Sequence, residues 1–176
     1  MLVKICGVKD VKTALFAEKA GADMVGVIAH KKSRRYITPE TARLIKEAIS
    51  VPMVVVGVEL AECEPYADIA DYIQADDANS AEKHILSGHQ KPEGTFRYFL
   101  YDASRGAGVR TEYPQWIEEF RDRLILAGGL TPDNVAEVIG LYRPLGVDVS
   151  SGVETDGNKD LIKIERFIKN AKRVDK

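Results

Sequence analysis

Several short stretches of this 176-residue chain carry side chains that could do chemistry unaided. Cys6 closes the apolar run Val3-Lys4-Ile5 and stands directly before Gly7. A thiolate so placed is a competent base, although a lone cysteine in apolar surroundings otherwise serves as a small core residue. Asp102 ends the run Phe96-Arg97-Tyr98-Phe99-Leu100-Tyr101. A carboxyl at that point either donates a proton or forms a turn. Gly128-Gly129 and Ser150-Ser151-Gly152 each follow an apolar run, the second of which carries Asp148. Either glycine group alone reads equally well as a tight turn. Together, on neighbouring strands, they favour a cradle of backbone amides for a phosphate. Lys31-Lys32-Ser33-Arg34-Arg35-Tyr36 is a solvated basic loop, or the source of an arginine that grips a carboxylate in bidentate fashion.

Buried strands are what would bring these groups together. Apolar, largely β-branched runs predict strands at 2–6, 24–29, 53–58, 72–75, 96–102, 124–127 and 147–150, with helices between them. Thr38-Pro39-Glu40 and Thr131-Pro132-Asp133 each read as a helix start, and another helix begins near Asp10. The last spans 158–173, with Leu161, Ile164, Ile168 and Ala171 facing the sheet. A helix ending near Ser87 is followed by a polar linker, 88–95. Strand-turn-helix repeats allow an open doubly wound sheet or a closed barrel. No G-x-G-x-x-G follows the first strand, and the polar residues close several different strands, which favours a (β/α) barrel of TIM type. This reading counts about seven βα units where such barrels have eight, in a single domain, 1–176.

Lys plus Arg number 25 against Asp plus Glu 27, so no bulk field draws nucleic acid or an anionic membrane surface. No apolar run approaches the roughly 20 residues of a membrane span, and no secretory signal is visible. The two cysteines, Cys6 and Cys63, form neither a disulfide framework nor a metal pattern, in keeping with a reducing cytoplasm. Cys63 sits between Glu62 and Glu64, where carboxylates oppose thiolate formation, and is assigned no role.

At the runs 3–7, 32–37, 126–130 with Asn134-Val135, and 146–154, the chain resembles the phosphoribosylanthranilate isomerase family of tryptophan biosynthesis. The resemblance implies a cofactor-free, metal-free Amadori rearrangement of N-(5-phosphoribosyl)anthranilate to 1-(2-carboxyphenylamino)-1-deoxyribulose 5-phosphate. Cys6 matches the family's general base and Asp102 its general acid. Arg35 matches the arginine at the anthranilate carboxylate. Gly128, Gly129, Ser150, Ser151 and Gly152 match the phosphate cradle, with Asp148 beside it. The middle of the chain departs from the pattern. Gln74-Ala75-Asp76-Asp77 stands where the family has a histidine-bearing run, and the following strand-helix unit is missing. Gly106-Ala107-Gly108-Val109-Arg110 lacks the family's loop lysine, leaving Arg105 or Arg110 to replace it. A missing unit implies a seven-stranded barrel, a gap, or an edge covered by a second copy of the chain. The altered fourth strand keeps two other readings open: a different aminosugar-phosphate substrate, or a non-catalytic phosphate-ligand binding protein.

Overall fold

A computed structural model of the chain describes residues 1–103 and 113–174. Its centre is a closed barrel of eight parallel strands, each paired with the next along the chain and the last with the first. The strands are β1 (Leu2–Ile5), β2 (Met24–Ile28), β3 (Met53–Val56), β4 (Tyr72–Ala75), β5 (His84–Gly88), β6 (Tyr98–Asp102), β7 (Leu124–Ala127) and β8 (Gly146–Val149). Side chains alternate across each strand, so one parity fills the interior and the other packs outward. Met24, Val54, Ile85, Leu100 and Ile125 are inside. Val25, Val55, Phe99, Leu124 and Val147 belong to the outer layer.

The expected count of seven strands is corrected to eight. Residues 84–88 form β5, parallel to both β4 and β6, where the sequence had suggested a helix end and a linker. What the chain has dropped is helices. Residues 76–83 and 89–97, which join β4 to β5 and β5 to β6, contain none. Parallel neighbours ordinarily need a crossover of a dozen or more residues, so these two links are unusually direct. The barrel sheet therefore closes without a partner, and it leaves no edge of its own for a second copy to cover.

Aromatic rings take over part of the cover in this sector. A 3₁₀ segment, Gln115–Arg123, lays Trp116 and Phe120 against Phe99, with ring centres 6.1 and 6.0 Å away. Elsewhere helices do the covering: α1 (Val11–Ala20), α2 (Pro39–Ala48), the short α3 (Leu60–Cys63), α4 (Val135–Tyr142) and α5 (Leu161–Arg173). Asp10 caps α1 by accepting from the Thr13 amide, and Thr38 caps α2 through the Thr41 amide. α5 starts at Leu161, later than expected, because Asp160 caps it and Asn158-Lys159 pair with Glu154-Thr155 in a small antiparallel ribbon. α4 likewise starts beyond the Thr-Pro-Asp signal. There Asn134 Oδ1 accepts from the Thr131 amide, and its Nδ2 donates to the Gly129 carbonyl. No helix among the described residues is long and apolar enough to cross a membrane.

Candidate active site

A cavity of about 710 Å³ opens at the C-terminal ends of the strands. Cys6, Asp102, Arg35, Asp148 and the loops 128–129 and 150–152 all line it. The remaining candidates, Arg105 and Arg110 of the loop after β6, lie outside the described residues.

Cys6 follows β1, its amide donating to the Val149 carbonyl of β8 at 2.9 Å. It is 6% exposed. Two residues earlier on the same inward face lies Lys4, fully enclosed in the barrel. Strand register sets Lys4 opposite Asp148, and its Nζ donates to Asp148 Oδ1 at 2.7 Å and to Gln74 Oε1 at 2.9 Å. Asp148, expected beside the phosphate cradle, is thus engaged by a lysine that sequence reasoning overlooked. Burial pushes the Cys6 thiol above its ordinary value, and the Asp148 carboxylate adds to this, while Lys4 and Lys159 pull it back. Burial also works against the Lys4 ammonium, but Asp148 and Cys6 more than offset it and leave Lys4 above its usual value. Cys63 is pushed the same way: burial, with Glu62 and Asp77 nearby, takes its thiol up to about 12.

The basic loop after β2 meets the chain beyond β8. Arg35 donates from Nε and Nη2 to the two Glu154 oxygens at 2.6 and 2.9 Å, and Arg34 adds a contact at 2.7 Å. Lys159 Nζ reaches Glu154 Oε1 at 3.0 Å and the Ser150 carbonyl at 2.8 Å. Burial raises the Glu154 carboxyl, yet hydrogen bonds from Arg35 and the charge of Lys159 dominate and hold it at about 2. Glu154 thereby fixes Arg35 at the cavity wall. The Arg35 Nη1 donors have no protein partner among the described residues.

Gly128 and Gly129 both take positive φ, 89° and 65°, a backbone turn that side-chain-bearing residues rarely adopt. A Cβ on Gly152 would overlap the Leu130 carbonyl oxygen, so the loops after β7 and β8 touch backbone to backbone. Asn134 then holds the Gly129 carbonyl from the α4 side. The opposite wall has another character. His30 Nδ1 sits 2.7 Å from Glu62 Oε1, and Ser87 donates to Asp76 Oδ1 at 2.7 Å. His30, Asp76 and Ser87 all line the cavity.

Fold and site together define an eight-stranded parallel barrel of TIM type, with its candidate groups at the strand C-termini and glycine-bearing loops after the last two strands. Residues 69–170 match the family model described as N-(5'phosphoribosyl)anthranilate (PRA) isomerase. An N-(5'-phosphoribosyl)anthranilate isomerase of Thermotoga petrophila is 37% identical, the alignment covering 97% of this chain and 98% of that one. A crystal structure of monomers generated from the dimeric phosphoribosylanthranilate isomerase of Thermotoga maritima superposes with a TM-score of 0.76 at 33% identity, covering 98% and 100% of the two chains. A further isomerase structure, in complex with reduced 1-(o-carboxyphenylamino)-1-deoxyribulose 5-phosphate, gives 0.74 at 33% identity over the same shares. The chain belongs to the phosphoribosylanthranilate isomerase family.

Proposed function

We propose that the chain isomerises N-(5-phosphoribosyl)anthranilate to 1-(2-carboxyphenylamino)-1-deoxyribulose 5-phosphate in tryptophan biosynthesis, with Cys6 as base and Asp102 as acid. The observation that carries this reading is a single cavity lined by a thiol, a carboxyl and a paired glycine cradle on separate strands. The cradle loops 128–129 and 150–152 take the 5-phosphate, and Arg35, oriented by Glu154, offers Nη1 to the anthranilate carboxylate.

Protonated Asp102 donates to the ring oxygen as the C1–O bond breaks, and the nitrogen lone pair forms C1=N. The Cys6 thiolate then takes the proton from C2. The C2–H electrons become C1=C2, and the C=N π pair returns to nitrogen. The resulting enolamine loses its O2 proton and gains one at C1, giving the ketone. Substrate and product are isomers, so once both groups recover their starting protonation the balance closes with no oxidant or cofactor.

One observation favours a second reading. The Asp76 carboxylate on the wall away from the cradle would repel an anthranilate carboxylate placed nearby, and would suit a phosphorylated aminosugar with a neutral or cationic amine substituent. The test is turnover of freshly generated phosphoribosylanthranilate by the wild type, Cys6→Ala and Asp102→Asn. Loss of about 10²–10⁴-fold in either variant is the expected result. A folded wild type that binds phosphate ligands without turnover would overturn the isomerase reading. Asp76→Asn separates the two substrates: a lower KM for phosphoribosylanthranilate would place the aromatic carboxylate at that wall.

A further inference from the structure

Lys4 has no necessary place in a barrel interior. Apart from its partners Asp148 and Gln74, Lys4 has apolar inward neighbours such as Met24, Val54 and Ile125, and a fully enclosed ammonium is costly to desolvate. Replacing a buried ion pair by apolar side chains of similar size is often neutral or stabilising. The pair with Asp148 therefore does not account for itself as a stability device. Its surroundings suggest another use. Lys4 has three N–H donors, and Asp148 and Gln74 take two of them. Cys6 lies two residues on, along the same strand face. A Cβ on Gly26 would stand 3.0 Å from Cys6 Sγ and 3.2 Å from Lys4 Cε, so the sulfur and the lysine stem share one small space beside β2.

We propose that Lys4 is a positioning residue: its ammonium, held by Asp148 and Gln74, holds the Cys6 sulfur as a thiolate until it takes the proton from C2. This inference rests on the reading of Cys6 as the base. Lys4 stays protonated throughout, and no proton passes between it and the sulfur. Asp148 keeps the lysine charged in a dry interior, and Gln74 sets its direction. The arrangement answers a difficulty in the base assignment, because burial and Asp148 both disfavour a thiolate at Cys6. The charged groups that face the sulfur are Lys4 from β1, Asp148 from β8, Lys159 from the ribbon and Arg35 from the loop after β2. Lys159 and Arg35 are both committed to Glu154, whereas Lys4 shares its charge between Asp148 and Cys6.

The experiment follows the pH dependence of Cys6 alkylation by iodoacetamide, located by mass spectrometry, beside steady-state turnover. Cys63, fully enclosed, is the slow internal reference. Asp148→Asn is compared with the double variant Lys4→Met/Asp148→Asn, which leaves no carboxylate stranded. Removing the ammonium should move the alkylation profile upward by about 1–3 pH units. It should also lower kcat about tenfold or more with little change in KM, and turnover should recover as pH rises. A mere plug of the barrel would leave that profile where it was. Lys4→Gln retains hydrogen bonding to Asp148 without the charge, and serves if the double variant does not fold. An unmoved profile in either folded variant, with Cys6→Ala inactive, overturns the role of Lys4 and leaves the base assignment standing. Full turnover by Cys6→Ala removes the base assignment itself, and the inference with it.

Discussion

The β8–β1 side of the barrel and the β4–β6 side solve the same closure problem with different means. At β8–β1 the outward residues Val3, Ile5, Val147 and Val149 are all enclosed, and α4, α5 and the ribbon wrap the seam. Inward lie Lys4 and Asp148, and the mouth carries Glu154 with its three cations. At β4–β6 two helices are gone, the links are short, and Ile73 and His84 remain partly exposed. The ladder is nevertheless continuous through β5. Hydrogen bonds along the strands close the barrel, while helices supply apolar cover for which aromatic rings can substitute. The chain keeps full wrapping where Cys6 and the loops 128–129 and 150–152 are mounted, and trims where the cavity wall carries Asp76 and Ser87.

The largest effect that would sharpen this contrast is on stability. Phe99, 1% exposed, packs among Phe96, Tyr101, Trp116 and Phe120 and is the keystone of the trimmed sector's cover. Phe99→Ala should destabilise the protein by about 3–5 kcal/mol, measured by urea unfolding. Its kcat per folded molecule should hold, because Phe99 faces away from the cavity. A kcat that fell with stability would show that the trimmed wall and the chemistry are one unit.

Glu154 offers the matching test on the wrapped side. Its side chain is 5% exposed and that of Lys159 3%, so Glu154→Gln leaves a nearly enclosed ammonium without its counter-charge. The expected loss is about 3 kcal/mol, and here KM should rise as well, since Arg35 loses its orientation. The pH dependence has a definite sign. The folded carboxyl is held at about 2, below its ordinary 4.5. Its contribution is present above about 4.5 and is lost as pH falls from there toward 2. Urea midpoints at pH 6 and pH 3 should therefore differ by more in wild type than in Glu154→Gln. Equal differences would remove Glu154 as a source of acid sensitivity.

The same contrast decides what the sequence makes legible. β1 and β8 are β-branched runs ending in polar turns, and their ends point directly to Cys6 and to Ser150-Ser151-Gly152. His84-Ile85-Leu86-Ser87-Gly88 has two large apolar residues between polar neighbours, a pattern too short to separate strand from helix. Without flanking helices it also lacks the alternation that marks a βα unit. The site divides likewise. Residues at strand ends are readable one at a time. The Lys4–Asp148 bond joins positions 144 apart and the Arg35–Glu154 bond positions 119 apart, and both exist only once register and closure are set. A lysine two residues before a cysteine on one strand was the available signal for Lys4, and it becomes meaningful only with a carboxylate opposite. Asn134 is among the residues that carry the family resemblance, but its grip on the Gly129 carbonyl depends on the loop's left-handed turn.

The smallest effect concerns the links themselves. Gly94 lies between β5 and β6 at φ 90°, and an added Cβ there would meet nothing within 4 Å. Lys91 in this stretch pairs with Glu119 at 2.6 Å, about half exposed on both sides, and such pairs contribute about 0–1 kcal/mol. Inserting a few Gly-Ser residues after Gly94 lengthens a surface link, and doubling a loop costs only about 0.6 kcal/mol. The urea midpoint should move slightly and kcat/KM should hold. If the insertion instead abolishes turnover while the fold survives, the shortness of this link is what places Ser87 and Asp76 at the cavity wall, and trimming is then part of the site's construction.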